Sequence, residues 1–131
     1  MKQHSIPLLS IFFLLFSCNK LNEPPQNPII ERKVRFELYT TKDFSDSNDS
    51  ITFSVFIKKD KLVVWDSVLT PIRVKEIPKA TNKIIILKKV PDNDASLLKV
   101  GFNYTIKNIG YSSYFDAFYP ESNLKVLNYN F

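Results

Sequence analysis

From Glu31 onward the chain is written with a period of two. Val34, Phe36, Leu38 and Thr40 alternate with Arg35, Glu37 and Tyr39, and Ile51, Phe53, Val55 and Ile57 alternate with Thr52, Ser54 and Lys58. The longest run sets Leu98, Val100, Phe102, Tyr104 and Ile106 against Lys99, Gly101, Asn103, Thr105 and Lys107. Successive side chains of an extended strand point to opposite faces, so each run predicts a strand with one buried and one solvated face. Further strands are expected at residues 62–66, 72–77, 83–90, 111–119 and 124–131. The separators are turn chemistry: Lys59-Asp60, Pro91-Asp92-Asn93-Asp94, Asn108-Ile109-Gly110, and Pro120 to Asn123. No window offers a helical stripe with a cap and a stop. About eight short strands with frequent turns predict an all-β domain, an antiparallel β-sandwich of immunoglobulin-like arrangement without the cysteine pair of a true immunoglobulin domain.

A closed barrel is the rival architecture. Leu127, Tyr129 and Phe131 alternate in a way that is similar to the closing strand of outer-membrane β-barrels. The cations spread along the strands oppose it, because Lys and Arg on a lipid-facing wall are costly.

The 131 residues leave room for one domain, and a single Cys excludes an intrachain disulfide. The segment preceding the domain reads as an address. Lys2 is followed by an apolar stretch at residues 6–16 that is broken only by Pro7 and Ser10 and gives way to Asn19 and Lys20. That is a secretory signal pattern, about half the roughly 20 residues that a membrane-spanning helix needs. It ends in Leu15-Phe16-Ser17-Cys18, with the only cysteine directly after a small residue.

This ending resembles the lipobox of bacterial lipoproteins, with a bulky Phe16 of the kind familiar in those of the Bacteroidota. The resemblance covers about the first 18 residues and implies cleavage before Cys18 and a thioether to diacylglycerol on its sulfur, with the new amino terminus open to further acylation. It implies a membrane partner reached through lipid and residence in the cell envelope, at the outer membrane. An ordinary signal cut near Ser17 is the plainer alternative. Residues 18–30 hold three prolines and no hydrophobic periodicity, which predicts a tether before a domain at residues 31–131. At about 3.1 Å per residue in an extended form, a dozen such residues reach about 35 Å.

The chemistry of the domain is bounded by absences. His4, the only histidine, lies in the signal, so residues 31–131 contain neither His nor Cys. Ser-His-Asp and Cys-His catalysis and His or Cys zinc sites are thereby excluded from the domain. Gly101 and Gly110 match neither a phosphate loop nor a dinucleotide fingerprint, and no cofactor is expected. Carboxylates remain, as glycoside hydrolysis would use in facing pairs, but no spacing pairs Asp66, Glu76, Asp116 and Glu121. Residues 43–50, D-F-S-D-S-N-D-S, concentrate three acids, yet Asn48 and Ser54 stand where an EF-hand needs Gly and Glu, so no metal site is expected. Asp49-Ser50-Ile51 and Asp66-Ser67-Val68 resemble the O-glycosylation acceptor of Bacteroidota, and each also reads as a loop-to-strand junction.

Of the fifteen aromatics after Cys18, nine fall from Phe102 to Phe131. Tyr111, Tyr114 and Tyr119 are the candidate stacking platform for a sugar or peptide, with core packing as the alternative for the same residues. The net charge of +5 comes from cations spread along strands, which as solvated faces favour no nucleic acid and at most a mild attraction to anionic head groups or polysaccharide. The expected function is a non-catalytic, lipid-anchored binding or accessory module for a protein or glycan. A small carboxylate-dependent glycan-processing enzyme is the alternative.

Overall fold

The computed structural model describes residues 30–131. The expected signal at 1–17 with His4, the expected lipidation residue Cys18 and the expected tether up to residue 29 lie outside the described residues. The described chain forms β1 (Lys33–Tyr39), β2 (Ser50–Lys59), β3 (Leu62–Val68), β4 (Ile72–Arg73), β5 (Ile84–Lys89), β6 (Leu98–Ile106), β7 (Gly110–Phe118) and β8 (Leu124–Asn130). They build two sheets, one ordered β5-β1-β8 and one ordered β3-β2-β6-β7, with β4 also pairing β2. This is the all-β sandwich that the alternation predicts, and its two separate sheets exclude the closed barrel.

The inward residues are those of the alternating runs. Val34, Phe36 and Leu38 of β1 meet Ile51, Phe53, Val55 and Ile57 of β2 and Leu98, Val100 and Phe102 of β6, all with 2 % exposure or less. Burying each such side chain contributes roughly 1.5–3 kcal/mol. Phe36 and Phe102 pack edge to face at 5.5 Å, and Phe131 sits edge-on to Tyr104 at 4.9 Å and to Phe53 at 5.8 Å. The alternation of Leu127, Tyr129 and Phe131 therefore points into the sandwich. Trp65 lies at the β3 margin, 6.2 Å from Phe36, with the Lys88 ammonium 5.1 Å above its ring.

Two expectations are corrected. The strand expected at 72–77 stops after Arg73, and Val74–Glu76 form a 3-10 turn. Val74 and Ile77 are both buried, three residues apart, which is the spacing of such a turn and not of a strand. The sandwich is also not wholly antiparallel: β8 runs parallel to β1, from Lys33 opposite Leu124 to Tyr39 opposite Asn130. The long connections between them make this pairing feasible, since parallel neighbours cannot be joined by a tight turn.

Arg32, immediately before β1, is 3 % exposed and closes one end of the sandwich. Its Nη1 donates to the carbonyls of Asp94 and Ser96, its Nη2 to those of Phe118 and Tyr119, and its Nε to that of Ser122. The guanidinium also lies 4.0 Å above the Phe118 ring. One planar cation thus gathers the β5–β6 and β7–β8 connections at the start of β1.

Candidate functional site

Strand geometry decides which of the expected site residues meet. On β7, Phe118 is fully buried, so Asp116, Tyr114 and Ser112 share its inward face, whereas Tyr111, Ser113, Phe115 and Ala117 face outward. Tyr111 and Tyr114 consequently lie on opposite faces, and Tyr119 follows the end of the strand. Tyr114 is 44 % exposed but packs 5.7 Å from Tyr129 across the gap between sheets. The three tyrosines do not form one flat face. Burial, with Tyr104 beside it, pushes the Tyr129 phenol up to about 12.

The acids are equally dispersed. Asp116 points between the sheets and is ion-paired with Lys125 of β8, which holds its carboxyl below the usual range. Glu76 accepts a 2.8 Å bond from the Arg73 backbone N–H, Asp66 lies on the outward face of β3, and Glu121 lines an open cavity of about 680 Å³ beside Arg32. In the 43–50 loop, Asp43 accepts from the Ser45 N–H at 3.0 Å, a local turn bond that lowers its pKa. Among the described residues no group of three or more acids, His or Cys is placed to hold a metal ion. Ser50 opens β2 and Ser67 lies within β3, both half-buried.

A different cluster forms on the outward face of β2, β6 and β7. Phe56 is out of phase with the buried run of β2 and points to solvent, yet it is only 4 % exposed. Gly101, its direct partner on β6, makes this possible: a Cβ there would lie 2.4 Å from Phe56 Cζ and 2.3 Å from the Tyr114 carbonyl oxygen. The ring therefore lies down across the glycine, a recurrent way of filling the gap that glycine leaves in a sheet. Phe115 of β7, opposite Gly101 on its other side, stays 56 % exposed.

Cations surround these rings. Lys58 Nζ sits 4.5 Å above Phe56, and Lys99 Nζ lies 5.4 Å from the centroid of Phe115. Lys61 enters from the β2–β3 turn, which reverses at Asp60 with φ of 53°. Ser113 forms a polar wall, its Oγ donating to Asn103 Oδ1 at 2.7 Å. The result is a depression of about 350 Å³ with an aromatic floor, three lysines and one carboxylate, Asp60. A β-bulge between Ile57 and Lys58 in the β2–β3 ladder adds local twist beside it. Asp66, on the β3 side of Phe56, lies outside the lining.

The opposite sheet has its own outward face. There Ile85, Leu87, Leu124 and Val126 are exposed around Glu37, whose carboxylate is 2.8 Å from Arg35 Nε and 2.7 Å from Lys83 Nζ. The hydrogen bond from Lys83 holds Glu37 below the usual carboxylate range. Among the described residues no helix is long and apolar enough to cross a membrane. No protein-family model matches the chain, and neither a curated protein nor a solved structure matches it.

Proposed function

We propose that this protein is a non-catalytic binding module of the cell envelope, anchored in the outer membrane through lipid on Cys18 and presenting its sandwich to a glycan or protein partner. The observation that carries the binding half of this reading is the outward cluster of Phe56, Phe115 and three lysines around one depression. Surface aromatics with a cationic rim suit recognition, because a ring supplies apolar contact and the ammonium groups supply orientation. The anchoring half is supported by the signal pattern and by Cys18 at its end. Two or more acyl chains give stable attachment where one gives a marginal one, at about 0.8 kcal/mol per buried methylene. The prolines at 24, 25 and 28 favour an extended tether that holds the domain off the lipid surface.

The test is intact-mass and peptide mass spectrometry of the full chain extracted in detergent from bacterial membranes. The expected product begins at Cys18 and carries a diacylglycerol thioether. An unmodified Cys18, or a mature chain beginning elsewhere, refutes the anchor.

A further inference from the structure

Lys58 and Lys99 are direct partners across the β2–β6 ladder, both on the outward face. Like charges placed opposite each other destabilise a sheet, the more so where side chains at such positions stand about 5 Å apart. The other two lysines set opposite each other across a ladder, Lys33 of β1 and Lys89 of β5, share the Glu31 carboxylate at 3.7 Å and 2.7 Å, whereas single lysines such as Lys42, Lys75 and Lys107 stand without an ion pair among the described residues. Among the described residues Lys58, Lys61 and Lys99 make no ion pair. Three unneutralised cations therefore converge on the same depression, against the single carboxylate of Asp60.

Packing alone accounts for part of this arrangement. Phe56 fills the space over Gly101, and the Lys58 and Lys99 ammonium groups lie over the Phe56 and Phe115 rings, a favourable contact in its own right. It does not account for Phe115, which is more than half exposed beside that cluster, nor for two cations set opposite each other with no acid in ion-pair contact with either. Both are explained by an anionic ligand that has an apolar face.

Building on the binding-module reading, we propose that this depression is a subsite for a carboxylated sugar, one acidic pyranose residue of a polysaccharide. The C–H face of the ring lies on Phe115 and the edge of Phe56, and its carboxylate sits between Lys58 and Lys99 and removes their repulsion. Its hydroxyls reach Ser113 and Asn103, which already hydrogen-bond to each other and keep further donor and acceptor positions. The volume of about 350 Å³ is at the lower end of the roughly 300–1,000 Å³ typical of ligand sites, which suits a single ring. A lipid head-group surface fits less well, because a concave site withdraws its floor from a plane.

The experiment is calorimetric titration of the full chain in detergent micelles with trigalacturonate, sialyllactose and neutral maltotriose. Trigalacturonate or sialyllactose binds, with affinity falling as salt rises, and maltotriose does not; which acidic probe binds tells a hexuronate from a nonulosonate source. Lys99→Gln is the main variant. It removes one member of a repelling pair, so its thermal midpoint is at or above wild type while affinity falls about tenfold, as expected for one lost charge contact. Phe115→Ala weakens binding by a similar factor, and Leu87→Glu on the opposite sheet leaves it unchanged.

The proposal is overturned if maltotriose binds equally well, if neither acidic sugar binds, or if Lys99→Gln binds as wild type does. Lysine-dependent binding to phosphatidylglycerol vesicles without binding of either acidic sugar overturns it in favour of a membrane surface. A lipidated Cys18 in a chain that binds no acidic sugar defeats this site and leaves the anchor standing. Sugar binding by a chain with unmodified Cys18 does the reverse.

Discussion

Replacing Arg32 with Met removes a buried cation and keeps most of its apolar stem. Five carbonyl contacts to the guanidinium are lost, at Asp94, Ser96, Phe118, Tyr119 and Ser122, together with its stacking over Phe118. Hydrogen bonds from a charged donor contribute about 1.5–3 kcal/mol each, so a simple sum would reach about 7–15 kcal/mol. Ser122 lines the open cavity beside Glu121, as Arg32 itself does, so water can enter there and reach freed carbonyls when the side chain is gone. Removing the guanidinium also ends the burial that lowers its own pKa, which offsets part of the loss. The expected net cost is therefore about 3–5 kcal/mol. Urea denaturation followed by tryptophan fluorescence measures it, because the half-buried Trp65 packs against Phe36 of the core. Arg32→Lys separates charge from geometry: an ammonium with three donors cannot serve five divergent carbonyls, so it recovers less than half of the loss. A stability change below about 0.5 kcal/mol for Arg32→Met, or full recovery by Lys, would refute the clamp.

Gly101→Ala places a methyl 2.3 Å from the Tyr114 carbonyl oxygen and 2.4 Å from Phe56 Cζ, and overpacking of this kind costs about 1–3 kcal/mol. A thermal melt should show the loss, and the paired change Gly101→Ala with Phe56→Ala should restore only part of it, because the carbonyl clash remains. Asp94 is held far below the usual carboxylate range, first by the hydrogen bond from Lys59 and then by Ser96. Its folded-state pKa is thus below the unfolded one. The stability it contributes is complete above about pH 5 and is lost as pH falls through the ordinary carboxylate range near 4 toward the folded-state value. Urea midpoints at pH 7 and pH 3 should therefore lie closer together in Asp94→Asn than in wild type, and an equal gap removes Asp94 from this role.

The strands were legible because burial on one face leaves a parity in the sequence. β1, β2 and β6 follow from that parity alone. Residues 72–77 misled because apolar side chains at 72, 74 and 77 mix a two-residue and a three-residue spacing, and only the second survives between Pro71 and Pro78. Parity names the face of a strand but not its neighbour, so the parallel docking of β8 on β1 left no mark in the sequence. The outward cluster of Phe56 and Phe115 was hidden for a related reason. Phe56 and Phe115 are aromatic residues out of phase with their own strands, and the signal that could have found them is that mismatch read together with Gly101 at an outward position of β6. The tyrosines drew notice by density, while their spacing of three already divides Tyr111 from Tyr114.

The central position of β1 has a mechanical consequence. Any pull on the chain preceding residue 30 enters the domain through the Arg32 contacts and then runs along a strand flanked on both sides, by β5 over six residue pairs and by β8 over seven. A force along that axis loads the rungs of both ladders together in shear, where a pull on a hairpin edge would open them one at a time. The sheet yields only if two rows of bonds fail at once, so its resistance is a rate set by a high unfolding barrier. In a domain held from that end, the strand that takes the strain lies in the three-stranded sheet, apart from the sheet that carries Phe56 and Phe115.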